Sequence, residues 1–160
     1  MGQRAVDLNE EFAEAVKEHF KQITPLLDAE LQSIFRKGAC APPVSFCLIE
    51  YDSPSFGEEF AVSLWPMNAD GSPIGEGYWF LKGKAVTVPP GIYEDSKYED
   101  IEPWGTASEL LEQWFVARTA QIRDEAECPL FIGHHDSYFK TDLRTGKQTT
   151  WDQILEGCNG

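Results

Sequence analysis

Residues 8–35 constrain the fold more than any other stretch, because their apolar side chains recur at helical spacing. Asp7 and Glu10 match the capping-box pattern of a helix start. The apolar residues that follow are Leu8, Phe12, Val16, Phe20, Ile23, Leu27, Leu31, Ile34 and Phe35. Thr24-Pro25 is a second start signal inside this run. The pattern predicts two consecutive helices, or one helix bent at Pro25, whose apolar face needs a sheet to cover.

Runs rich in strand-forming residues follow these helices. They lie at residues 44–51, 59–65, 78–88, 130–133, 137–143 and 148–151. A central helix is predicted from Thr106 or Ser108 to Ile122. A short final helix at residues 151–157 is an alternative to the strand that ends at Trp151. Strands and helices do not alternate regularly, which favours the α+β class. We therefore expect one domain over residues 1–160, with an antiparallel sheet of five to six strands and the N-terminal and central helices packed on it.

The charge of the chain is strongly negative and unevenly distributed. The formal net charge is −14. Residues 38–81 contain six acidic residues and no lysine or arginine, and residues 93–128 contain ten acidic and three basic residues. Such a field repels nucleic acid and anionic membranes and speeds encounter with basic partners. Together with the absence of a signal-like or membrane-spanning apolar run, it predicts a cytoplasmic protein with a basic protein partner.

The stretch IYEDSKYEDIEPW, residues 92–104, is the strongest candidate for a binding surface. It places aromatic rings among carboxylates, so we expect an exposed path whose rings anchor a partner while the acids steer and pair with its basic groups. The candidate residues are Tyr93, Glu94, Asp95, Tyr98, Glu99, Asp100, Glu102 and Trp104. A second group at predicted strand ends is Glu50, Asp52, Glu58 and Glu59.

No motif in the sequence predicts a cofactor, a metal site or a catalytic centre. His134 and His135 are adjacent, and adjacent residues of an extended chain point to opposite sides, so they do not favour a shared metal. The cysteines show no paired spacing, so a disulfide framework is not expected, and Cys47 is expected to be a small buried residue. The carboxylates at strand ends leave open a small carboxylate-dependent hydrolase.

The C-terminal region supplies two resemblances. The segment SYFKTDLRTGKQTTWDQ is similar to the second half of a WW domain, but the upstream tryptophan and the later proline of that domain are missing. The longer segment PLFIGHHDSYFKTDLRTGKQTTWDQI, residues 129–154, is similar to the closing hairpin of the SUKH superfamily. The acidic composition and predicted fold also resemble bacterial immunity proteins that neutralise a cognate toxin.

The resemblance implies a non-catalytic inhibitor that masks the active site of a basic toxin. Two rival functions remain open. A phage-type inhibitor that imitates DNA predicts carboxylates spaced like phosphates over a long face, whereas a hydrolase predicts a deep pocket with two converging acids and little exposed aromatic surface. A structural subunit of a larger assembly is a further alternative.

Overall fold

A computed structural model describes residues 2–51, 61–83, 98, 101 and 103–159, with the backbone alone at residues 2–6, 82, 83, 103, 104 and 159. In these ranges the helices are α1 (Gly2–Arg36), α2 (Pro103–Thr119) and α3 (Trp151–Asn159). The strands are β1 (Phe46–Tyr51), β2 (Val62–Met67), β3 (Tyr78–Trp79), β4 (Leu130–His134), β5 (Phe139–Asp142) and β6 (Gln148–Thr150). The predicted α+β class is confirmed.

The described strands form a six-stranded sheet in the order β3-β2-β1-β4-β5-β6. Neighbouring strands are antiparallel except β1 and β4, which pair in parallel from Cys47–Leu130 to Tyr51–His134. The expectation of a purely antiparallel sheet is therefore wrong at this pair. The chain leaves the sheet after β3, crosses as α2 and returns beside β1 in the same direction, as parallel pairing requires.

Alternation along the strands builds a core on each face of the sheet. Cys47, Ile49 and Tyr51 of β1 face α1 and α2, where they join the larger core. Phe46 and Leu48 face the opposite side, where α3 covers them. The predicted placement of the N-terminal and central helices is confirmed, while α3 lies on the other face.

The N-terminal region is one continuous helix through Pro25, which agrees with the single-helix alternative. The predicted start at Asp7 and the second start at Thr24 are wrong. The Thr24 hydroxyl donates back to the carbonyl of Phe20 at 2.7 Å instead of capping a new helix. The same hydroxyl accepts a hydrogen bond from Trp114 Nε1 at 3.0 Å. The Trp114 ring stacks on Phe20 with centroids 4.3 Å apart. These contacts pack α2 against α1 beside the proline.

The remaining sequence predictions differ mainly at element boundaries. Helix α2 begins at Pro103 rather than at Thr106 or Ser108, and Ile122 lies in a short 3₁₀ turn after it. The predicted strand at 78–88 continues only to Trp79, followed by a 3₁₀ turn over Phe80–Gly83. Residues 84–88 lie outside the described residues.

Cys40 and Cys128 form a disulfide, which contradicts the expectation of none. Their Cα atoms are 5.3 Å apart although 88 positions separate them in the sequence. The parallel pairing of β1 and β4 causes this proximity, since it brings the segment before β4 beside the loop that leads into β1. Cys47 is buried, as expected, and burial raises the pKa of its thiol to about 12.

Candidate functional site

Most residues of the predicted binding surface lie outside the described residues: Tyr93, Glu94, Asp95, Glu99, Asp100, Glu102, Asp52, Glu58 and Glu59. The backbone alone is described at Trp104, in the first turn of α2. The side chains of Tyr98 and Glu50 are described. The structure therefore tests the geometry of the prediction only at these two residues.

Tyr98 does not face solvent, so the expectation of an exposed ring is wrong at this residue. Its side chain is 6% exposed. The ring packs edge-to-face on Phe12 of α1, with centroids 5.3 Å apart. Ile101 is buried in the same core. The carboxylates that flank Tyr98 in the sequence predicted an exposed side chain. The side chain is buried because it contacts a residue far away in the chain.

Glu50 lies on the rim of a cleft of about 430 Å³ on the α3 side of the sheet. The charged and titratable side chains of this cleft are Glu50, His135, Asp136, Tyr138 and Lys140, and its apolar walls include Leu48, Met67 and Trp151. Strands β1 and β5 and the turn after β4 therefore bring together groups that are far apart in the chain.

Lys140 is the most buried charged side chain of this cleft, at 4% exposure. Its Nζ donates a hydrogen bond to the carbonyl oxygen of His134 at 2.8 Å. Burial lowers the pKa of Lys140, and the nearby carboxylates of Glu50, Glu112 and Asp136 act in the opposite direction. The lysine therefore neutralises part of the negative charge around the cleft.

His135 lies between two carboxylates at the mouth of the cleft. Its Nδ1 is 3.8 Å from Glu50 Oε2, and its Nε2 is 3.3 Å from Asp136 Oδ1. The ring of His134 instead lies against Tyr51, on the side of α1 and α2, with centroids 5.8 Å apart. The prediction that the adjacent histidines point to opposite sides is confirmed.

The exposed ring of Tyr138 lines the cleft, and the exposed ring of Phe139 lies against it. Tyr138 is 48% exposed and Phe139 is 50% exposed. Their rings contact edge-to-face with centroids 5.7 Å apart. The Tyr138 hydroxyl donates to Asp152 Oδ2 at 2.7 Å, which raises the pKa of Tyr138. We call Asp136, Tyr138, Phe139 and Asp152 the acidic–aromatic surface.

The sequence contains one signal for this surface, an adjacent pair of large aromatic residues. Tyr138 and Phe139 are adjacent in the sequence, where β5 begins. Two adjacent large rings at the end of a strand are difficult to bury together. The prediction instead favoured residues 92–104, where the local density of acidic residues is higher.

A second cleft, of about 530 Å³, lies between α2 and strands β5 and β6 and contains Glu112. Both carboxylate oxygens of Glu112 are already occupied. Tyr51 Oη donates to Oε2 and Thr141 Oγ1 donates to Oε1, each at 2.5 Å. Glu112 is therefore bound into the fold, and this arrangement favours a structural role over acid–base chemistry.

Comparison with protein-family models, with curated proteins and with solved structures gave no match. Within the part of the chain that the structure describes, no helix combines the length and the apolar character needed to cross a membrane.

Proposed function

We propose that this protein binds a basic protein and inhibits it, as a cytoplasmic immunity protein does with its cognate toxin. The observation that carries the proposal is the exposed ring pair of Tyr138 and Phe139 beside the carboxylates of Asp136 and Asp152. Exposed aromatic side chains are common anchors of protein interfaces, and carboxylates around them attract and orient cationic surfaces. The net charge of −14 adds a long-range attraction for the same basic partner.

The cleft beside these rings fits an arginine side chain of the partner. Leu48, Met67 and Trp151 provide apolar walls for its methylene groups. Glu50 and Asp136 provide carboxylates for its guanidinium, which prefers planar, charged acceptors. Lys140 offsets only one of these two negative charges. A basic side chain inserted here would anchor the partner, whose active site is then covered by the surrounding contact.

Of the carboxylates on which the hydrolase alternative was based, the structure describes only Glu50; in the cleft it lies across His135 from Asp136. That alternative predicts a deep pocket and little exposed aromatic surface. The cleft is open, the exposed ring of Tyr138 lines it, and the exposed ring of Phe139 contacts Tyr138. These features favour binding of a macromolecule over turnover of a small substrate.

The test is to isolate the partner from the native host with tagged protein and then to measure the affinity of the purified pair. We expect one basic protein whose activity is inhibited. Tyr138→Ala should weaken binding by about tenfold or more, since anchor residues contribute at least about 1.4 kcal/mol. Trp79→Ala is the matched control, because Trp79 is a comparably exposed ring on β3, at an edge of the sheet.

Three results would reject the proposal. Recovery of several unrelated nucleic-acid-binding proteins would favour the DNA-imitating inhibitor. Recovery of nucleotides or sugars alone would favour the carboxylate-dependent hydrolase. Equal loss of affinity in Tyr138→Ala and Trp79→Ala would show that the acidic–aromatic surface is not the docking site.

A further inference from the structure

The sulfur atoms of three cysteines form a cluster near the start of β1. The sulfur atoms of Cys40, Cys47 and Cys128 all lie within 4.8 Å of one another. Cys40 and Cys128 are joined as a disulfide, and Cys47 is a free thiol. The Cys47 sulfur is 3.7 Å from that of Cys128. The fold therefore brings Cys128 to Cys40 and Cys47 and assembles three potential thiolate ligands.

The sheet fixes two of these cysteines and a loop supplies the third. Cys47 lies in β1, and its backbone N–H donates to the carbonyl of Pro129 at 3.0 Å. This bond places Cys47 beside Cys128, the residue that precedes Pro129. Cys40 lies in the loop between α1 and β1 and is only half-buried. The loop side therefore offers access to the cluster.

We propose that, once the disulfide is reduced, Cys40, Cys47 and Cys128 bind one thiophilic metal ion of the Zn²⁺ class through three thiolates. In a tetrahedral zinc site with Zn–S distances of about 2.3 Å, two sulfurs lie about 3.8 Å apart. Cys47 and Cys128 already have nearly this separation. The sulfur of Cys40 needs to move only out of bonding distance of the Cys128 sulfur. A water molecule then provides the fourth ligand.

The chemistry balances with a dithiol as the reductant. The dithiol gives two electrons and two protons to the Cys40–Cys128 disulfide and itself becomes a disulfide. The ion then displaces the protons of three thiols, so that Zn²⁺ with three thiolates carries one net negative charge. The guanidinium of Arg144 donates to the carbonyl of Cys128 at 3.0 Å. This contact brings a cation to the backbone of Cys128, where it favours a negatively charged site.

A thiol cluster also fits the cytoplasmic location of the proposed function. Cytoplasmic thiols are kept reduced, so a disulfide is unusual there and a bound metal is more common. The metal would then hold together the same segments that the disulfide joins under oxidising conditions. The metal site does not depend on the proposed function, because its test involves no protein partner.

The experiment titrates the reduced, chelator-treated protein with Zn²⁺ in the absence of oxygen, in competition with a chromophoric chelator. We expect one ion per chain, and none for the oxidised protein. Cys47→Ala should lower the affinity about 100-fold or more, given the share of one thiolate in a structural zinc site. Cys158→Ala should leave the affinity unchanged, because Cys158 packs in the core on the opposite face of the sheet.

X-ray absorption spectroscopy of the zinc-loaded protein measures the number of sulfur ligands, and we expect three. Circular dichroism of the oxidised Cys47→Ala variant checks that it folds. If reduction unfolds the chain, Zn²⁺ should refold the wild-type protein and not Cys47→Ala. The proposal is overturned if the reduced wild type neither binds nor refolds with Zn²⁺, if Cys47→Ala binds equally well, or if two or fewer sulfurs are counted.

Discussion

The side chain of Lys140 crosses directly over the backbone of Gly133: a methyl group placed on Gly133 would lie 2.5 Å from Cδ of the lysine. The same methyl group would lie 3.1 Å from the carbonyl oxygen of Phe139. Glycine at this position lets Lys140 reach across β4 to the carbonyl of His134. We expect Gly133→Ala to lower the free energy of unfolding by about 1–3 kcal/mol, as overpacking in a buried site does.

Urea denaturation of Gly133→Ala and Gly105→Ala checks this expectation. Gly105 lies in α2, and a methyl group there meets no atom within 4 Å. Its replacement should leave stability unchanged or raise it by up to about 1 kcal/mol, because alanine favours the helix. Equal stability of the two variants would contradict the contact between Lys140 and Gly133.

The hydrogen bond from Tyr51 to Glu112 predicts a pH-dependent effect of Tyr51→Phe. Near pH 7 the variant should lose about 1–3 kcal/mol, because a half-buried carboxylate oxygen loses its donor. Burial, with the Glu112 hydrogen bond and charge, raises the pKa of Tyr51 in the folded state above its ordinary value of 10.0. Above about pH 10 the unfolded chain therefore releases a proton that the folded chain keeps, and wild-type stability falls with pH.

The stability difference between wild type and Tyr51→Phe should therefore shrink as the pH rises above about 10. Denaturation curves of both proteins between about pH 8 and pH 11 measure it. The pKa of Tyr78 is also raised, to about 12, but Tyr78 is present in both proteins and its effect cancels in the difference. A difference that stays constant across this range would contradict the assignment.

The fold class and much of the larger core followed from local patterns. Helical spacing identified the buried face of α1, and the strand-forming run around Cys47 identified β1. Such patterns are local, since they depend on the period of a single element. They do not determine which strands become neighbours. These patterns therefore could not predict the parallel pairing of β1 with β4, or the disulfide whose cysteines that pairing brings together.

The predicted binding stretch and the acidic–aromatic surface are different parts of the chain. The structure has aromatic rings beside carboxylates at Tyr138, Phe139 and Asp152, none of which was predicted as a site residue. The density of acidic residues in the sequence pointed instead to the stretch around Tyr98, whose ring is buried against Phe12. Exposure depends on contacts between distant residues, and the acidity of neighbouring residues does not reveal them.

The disulfide predicts a redox-dependent stability. The double variant Cys40→Ala/Cys128→Ala should unfold at a lower guanidinium concentration than the oxidised wild type. Its free energy of unfolding should be lower by about 2–4 kcal/mol, because the cross-link restricts a long loop of the unfolded chain. With a dithiol reductant and a chelator, the two proteins should have nearly equal stability. A thiol assay on the denatured, oxidised wild type should find two reactive thiols, Cys47 and Cys158. Four reactive thiols would rule out the disulfide.

Charge reversal separates the two acidic regions that could receive a basic partner. Asp136→Lys/Asp152→Lys tests the acidic–aromatic surface, and Glu99→Lys/Asp100→Lys tests the sequence-predicted stretch. Both double variants change the net charge by the same amount. We expect the first to slow association about tenfold or more at low salt and to weaken its salt dependence, because steering depends on local potential. Glu99→Lys/Asp100→Lys should also slow association if residues 92–104 contact the partner.

Stopped-flow association with the purified partner over a range of salt concentrations measures both effects. Glu14→Lys/Glu18→Lys is the matched control, because both side chains are exposed on α1, away from the cleft, and the change in net charge is identical. Equal rates for all three variants would mean that net charge alone steers the partner. An unchanged rate for Glu99→Lys/Asp100→Lys would exclude that stretch as the contact, and an unchanged rate for Asp136→Lys/Asp152→Lys would exclude the acidic–aromatic surface.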